Sequence, residues 1–258
     1  MRRFIFFAIA FLGLFVAYKT KASMPVTSFI IEPENFKEDI YSQPTAKFII
    51  SSSEDEFSLP ETPNQKIIGQ SQKENRKEII LQTGKFLLED NSSKEKYLKN
   101  TPFLNLDSKE ISLAAKKFEK SKDPIKDISF FVYEHISDKK EGIPLIPALS
   151  ILKGKAGDCT EHAVLTIALL RANKIPARAV MGVILSQEFL GKKNIFVYHM
   201  WAEAFIKGKW IIVDSTRPWS INYNRYIAFA YHNLTTESPL EYLNGISYIT
   251  NVKIKIID

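Results

Sequence analysis

The stretch KGKAGDCTEHAVLTIALLRANKIPARAVMG, residues 153–182, holds the lone cysteine of the 258-residue chain at the mouth of a long apolar run. Asp158 followed three residues later by Glu161 reads as a capping box in which Asp replaces the usual Ser or Thr. It predicts a helix over about 159–172, with Cys159 in the first turn. That helix is apolar on most faces (Ala163, Val164, Leu165, Ile167, Ala168, Leu169, Leu170), so it should be buried against a sheet. At a helix start the unpaired backbone N–H groups and the macrodipole favour a thiolate, while the carboxylate of Asp158 opposes one. A single thiol cannot close an intramolecular disulfide. The plain alternatives are an inert buried side chain or a bond to another molecule.

Downstream, ARAVMGVIL (177–185) reads as a strand, SQEFLGKKN (186–194) as a loop, and IFVYHMWAEAFIKGKWIIVDST (195–216) as a hairpin. If Lys207-Gly208 is a two-residue turn, Trp201 faces Asp214 and His199 faces Thr216. Strand side chains alternate, so His199, Trp201 and Glu203 share a face with Asp214, and His199 and Asp214 become diagonal neighbours. Upstream, DSKEISLAAKKFEKS (107–121) and DPIKDISFFVYEHIS (123–137) read as helices opened by Asp, the second with Pro124 in its first turn. A proline-bearing loop, 139–157, then leads to the cysteine. NRYIAFAYHN (224–233) and ISYITNVKIKII (246–257) add closing strands. Helices followed by strands predict an α+β domain with an antiparallel sheet.

These elements can assemble a nucleophile, a base and an orienting group: Cys159, His199 and Asp214. The imidazole withdraws the thiol proton and the carboxylate holds its tautomer. The Cys159 backbone N–H is an oxyanion donor. His162, three residues after the cysteine, is read as supporting or packing the site and not as the base, Asp158 and Trp201 as neighbours of the site, and Glu203 as either a hydrogen-bond partner beside His199 or an exposed strand carboxylate. Trp201 and Trp210 are expected to pack in the sheet, Arg178 to pair with a buried carboxylate, and Ser215 and Thr216 to cap the turn after Asp214. His135 and His232 are read as structural or surface residues. No His, Cys or carboxylate cluster has metal-ligand spacing, so neither a metal nor a cofactor is expected.

GDCTEHAVLTIALLRANKIPARAVMG followed by HMWAEAFIKGKWIIVDST resembles the core of the transglutaminase-like superfamily. The shared motifs are Gly-x-Cys at a helix start, Pro-Ala-Arg entering a strand, His-x-Trp-x-Glu, and Trp-x-x-x-Asp after a tight turn. The resemblance covers roughly residues 105–220. It implies a papain-like fold, a Cys159–His199–Asp214 triad, and acyl transfer at a peptide or glutamine carboxamide through a thioester. One departure is Lys174, where a glycine commonly precedes Ile-Pro-Ala-Arg; glycine would supply a left-handed helix end without steric cost.

The first residues, MRRFIFFAIAFLGLFVAYKTKAS, pair Arg2 and Arg3 with an apolar run over 4–17, the pattern of a signal peptide. An uncleaved anchor tethering the chain to a membrane through 4–17 is the alternative. The expected organisation is a leader (1–22), an N-terminal extension of strand and loop (23–104) with strands at AKFIIS (46–51) and EIILQTG (78–84), and the catalytic domain (105–258). The net charge is +6, but Arg2, Arg3, Lys19 and Lys21 lie in the leader; 31 basic against 29 acidic residues remain, a net +2. Lysines interleaved with glutamates read as a solvated surface, so nucleic acid is not an expected partner. The expected partner is a protein or peptide in the cell envelope. A silent binding module of the same fold is the competing reading.

Overall fold

The computed structural model describes residues 30–54, 56–86, 90–140, 145–235 and 251–258. The leader (1–22) and the tether (4–17) lie outside the described residues. No helix among the described residues is long and apolar enough to cross a membrane.

Among the described residues the chain forms two antiparallel sheets, a short parallel strand pair and a layer of helices, an α+β architecture. Strands β1 (Ile30–Ile31), β2 (Thr45–Ser52), β3 (Gln65–Lys73) and β4 (Arg76–Gly84) precede helices α1 (Lys109–Lys116) and α2 (Pro124–His135). The short β5 (Asp138–Lys139) and β6 (Ala156–Gly157) flank α3 (Ala148–Gly154), and α4 (Cys159–Ala172) follows. Then come β7 (Ala177–Phe189), β8 (Lys192–Ile206), β9 (Lys209–Val213), β10 (Tyr226–His232) and β11 (Val252–Ile257).

The larger sheet runs β1-β8-β7-β10, with β9 sharing with β1 the outer edge of β8. β1 pairs with Phe196 and Val197, and β9 with residues 202–206. The second sheet runs β11-β2-β4-β3. It draws strands from both sides of the boundary expected at residue 104, because β11 pairs with β2 along Val252–Ile257.

Helix α4 carries almost no polar face, and every residue from Thr160 to Arg171 is buried. It packs on the face of the larger sheet that bears Ala177, Ala179 and Met181 of β7 and Met200, Ala202 and Ala204 of β8. Further along that face, Val183, Leu185 and Phe196 meet Phe48, Ile50 and Leu81 of the second sheet. The opposite face carries Val180, Ile184, Val197, Trp201, Ile212 and Tyr226. Gly182 sits opposite His199, and a Cβ there would lie 2.0 Å from the Ile227 carbonyl oxygen. Glycine therefore lets β10 close up on β7 and carry Tyr226 into the site.

Several expectations need correction. Ser108, not Asp107, caps α1, accepting from the Ile111 N–H at 3.2 Å. Asp123 caps α2 as expected, accepting from Lys126 N–H at 3.1 Å. The segment 186–194 is not a loop: β7 and β8 run through it to a tight turn with Leu190 and Gly191 at φ 49° and 77°. The loop before the cysteine contains α3, and β3 lies in a stretch too polar to signal a strand.

Lys174 takes the left-handed conformation, φ 61°. Its N–H bonds the Arg171 carbonyl and that of Ile175 the Leu170 carbonyl, at 2.9 and 3.0 Å, which is the Schellman pattern. The lysine thus occupies the conformation that glycine adopts freely.

Candidate active site

Cys159 is the first residue of α4. Asp158 accepts from Thr160 N–H and Glu161 Oε2 accepts from Asp158 N–H, both at 2.9 Å, which completes the capping box. The cysteine is half-buried. Its thiol is pushed well up, first by burial and then by the Asp158 carboxylate, with Asp214 and Glu161 adding to the effect. The Met200 backbone N–H, directed at the sulfur, opposes this. Burial and the neighbouring carboxylates favour the protonated thiol. Burial and Asp158 also push Glu161 up to about 8.

The hairpin joins an imidazole to a buried carboxylate. Lys207 and Gly208, both at positive φ (50° and 79°), form the two-residue turn, and Ala202 faces Val213 in the expected register. Past the last pair of β9, His199 Nε2–H donates to Asp214 Oδ2 at 2.7 Å. This leaves Nδ1 to accept a proton. The Met200 amide that acts on the sulfur belongs to the residue next to His199 in β8.

Asp214 is almost fully enclosed, yet richly satisfied. Oδ2 also accepts from the Tyr226 hydroxyl at 2.8 Å, and Oδ1 accepts from the N–H and Oγ1 of Thr216 at 3.0 and 2.6 Å. Arg217 Nε lies 3.4 Å from Oδ2, an ion-pair distance without hydrogen-bond geometry. Burial alone would raise this carboxyl; His199, Arg217 and the Thr216 donor instead hold it well below the usual range. Asp214 is therefore an anion at neutral pH, able to stabilise an imidazolium. Ser215 bonds Thr166 of α4 (2.6 Å) and Ser129 of α2 (3.2 Å), fastening the end of β9 to the helix layer.

The other expected neighbours fall into different roles. Trp201 stacks on His199, centroids 6.0 Å apart, and meets Tyr226 edge-on. His162 Nδ1–H donates to the Asp158 carbonyl at 2.5 Å and Nε2 accepts from Lys139 at 2.9 Å. Burial pushes His162 down to about 4. With both nitrogens engaged it buttresses the helix cap. Glu203 is neither exposed nor bonded to His199. Its Oε2 binds Arg178 Nε and Nη2 at 2.9 and 2.7 Å, while the guanidinium lies between Tyr231 and Trp210. Tyr226 and Arg217 were missed by the sequence reading: nothing local distinguishes a strand tyrosine or a loop arginine.

Residues 113–215 match the model of the transglutaminase-like superfamily, a span that includes Cys159, His199 and Asp214; the expected resemblance is thus found in the segment that builds the site. Among solved structures, a candidate cysteine protease from Cytophaga hutchinsonii is 19% identical, covering 81% of this chain and 80% of its own, with a TM-score of 0.51. It shares the fold. The periplasmic domain of TgpA from Pseudomonas aeruginosa is 14% identical over 74% of this chain and 73% of its own, TM-score 0.47. Red sea bream transglutaminase is 11% identical over 70% and 47%, TM-score 0.35. No curated protein sequence matches the chain.

Proposed function

We propose that the chain is an exported thiol enzyme performing acyl transfer at a peptide bond or carboxamide, with hydrolysis favoured over cross-linking. The observation that carries the reading is the buried His199–Asp214 pair, whose geometry frees Nδ1 as the base beside a thiol that needs one. As Cys159 Sγ bonds to the substrate carbonyl carbon, Nδ1 takes the thiol proton and Asp214 stabilises the imidazolium. The Cys159 backbone N–H has no intrahelical partner and receives the oxyanion. When the tetrahedral centre collapses, the C–N bond breaks and Nδ1 returns the proton to the leaving amine or ammonia. Water, activated by the same imidazole, attacks the thioester and releases the acid and the thiol; a lysine amine in its place gives a cross-link. Export is supported by Arg2 and Arg3 ahead of the apolar run at 4–17.

The test needs no knowledge of the natural substrate. Purified protein mixed with p-nitrophenyl acetate and quenched in acid is expected to carry a hydroxylamine-labile acetyl group on Cys159. The adduct should be absent in Cys159→Ala and form at least ~100-fold more slowly in His199→Ala. Equal rates in wild type and His199→Ala would remove the imidazole from the mechanism.

A further inference from the structure

A cavity of ≈ 320 Å³ opens beside the His199–Asp214 pair, lined by Arg217, Arg225, Trp219, Ser220, Asn222 and Tyr226 among others. Tyr226 and Arg217 both touch Asp214, so the cavity shares a wall with the reacting machinery. A relay of contacts links its Trp219 wall to the first turn of α4. Trp219 packs edge-on against Tyr133, Lys139 lies over the Tyr133 ring, and the Lys139 ammonium bonds His162 in the first turn of α4.

The charge here is unbalanced. Two guanidinium groups line the cavity, and the carboxylate beside Arg217 is Asp214, already committed to His199, Tyr226 and Thr216. Arg225 is held through Nε and Nη2 by the Leu185 carbonyl, at 2.8 and 2.6 Å, which satisfies donors without neutralising charge. Burial and the charge on Arg217 both work against the charge on Arg225, as they would for two cations sharing too few anions. The Nε of Arg217 makes no hydrogen bond. Trp219 is 63% exposed, an uncovered aromatic wall beside two fixed cations.

We propose that this cavity is a subsite for a carboxylate carried by the acyl donor, so that the enzyme selects peptides acidic near the attacked bond. The proposal rests on the acyl-transfer reading, and it assigns Arg217 and Arg225 as carboxylate ligands with Trp219 packing against the neighbouring peptide. The shared chemistry is a carboxylate, which a peptide supplies from a Glu or Asp side chain or from its free C-terminus.

Binding to the full chain carrying Cys159→Ala separates this from the chemistry, because no sulfur is needed. Three probes serve: a short neutral peptide amide containing Gln, the same amide with Gln replaced by Glu, and the Gln peptide with a free C-terminal carboxylate. Calorimetry gives affinities, and tryptophan emission reports locally, since Trp201 and Trp210 are 1% and 2% exposed. At least one anionic peptide is expected to bind about tenfold or more tightly than the neutral amide, as a charge-assisted contact would give; which one identifies the source of the carboxylate. The preference should weaken with salt, persist in Arg225→Lys, and vanish in Arg225→Gln. It should also vanish in Ser220→Glu, an exposed position where the new side chain brings its own carboxylate. Equal affinities, binding of none of the three, or a preference surviving both Arg225→Gln and Ser220→Glu would overturn the proposal. Loss of thioester formation with the preference intact would overturn the reaction and leave the subsite standing.

Discussion

Replacing Tyr226 by Phe removes one oxygen and keeps the ring. Its hydroxyl donates at 2.8 Å to Asp214 Oδ2, in a site where both residues are 1% exposed. A hydrogen bond to a charged group is worth about 1.5–3 kcal/mol. Oδ2 keeps His199 at 2.7 Å and Arg217 at 3.4 Å, so the lower part of that range applies, about 1.5–2 kcal/mol. For a chain of this size the loss corresponds to a fall in Tm of roughly 3–8 °C. The pH dependence follows from the direction of the shift. Asp214 titrates below its unfolded value, so the stability it contributes is complete above the ordinary carboxylate range and is lost as pH falls through its folded-state value. Losing a donor raises the folded-state value. The gap between variant and wild type should therefore be constant through neutral and weakly acidic pH and close only in strong acid. Calorimetric unfolding in a buffer series measures it. An unchanged Tm, or a gap that closes near neutrality, would refute the picture of an ionised Asp214 anchored by Tyr226.

Other outcomes follow from the same geometry. Lys174→Gly should stabilise the chain by about 0.5–1 kcal/mol in thermal or urea unfolding, the left-handed penalty less the entropy glycine loses, while Lys174→Ala should not. His162→Gln should lower the rate of Cys159 acetylation by less than about tenfold, against the far larger loss in His199→Ala. Because burial and Asp158 raise the thiol, Cys159 should alkylate more slowly than a free thiol at neutral pH. The rate should climb as pH rises, and unfolding in urea should abolish the difference.

The features legible in sequence are those with local causes. Asp158 and Glu161 place the start of α4 because a helix cap is satisfied within three residues. Lys207-Gly208 sets the hairpin parity because the turn needs two positive φ values. What escaped depends on distant chain or on burial without a pattern. β3 is a polar edge strand whose exposed residues carry no alternation. β11 finds its partner some two hundred residues away. Arg178 was expected to pair with a buried carboxylate and Glu203 to lie near His199 or in solvent; cross-strand register gives each to the other. Tyr226 reaches Asp214 only because Gly182 lets β10 approach, a packing relation no single segment encodes.

The pairing of β2 with β11 imposes an order on biosynthesis. A ribosome releases Thr45–Ser52 long before Val252–Ile257, and through that interval one margin of the nascent sheet has hydrogen-bonding groups without a mate. Such unsatisfied borders recruit neighbouring polypeptides. Newly made chains should thus depend on a holdase until Val252–Ile257 has emerged, and deleting those residues should send the product into inclusion bodies even though Cys159, His199 and Asp214 all remain.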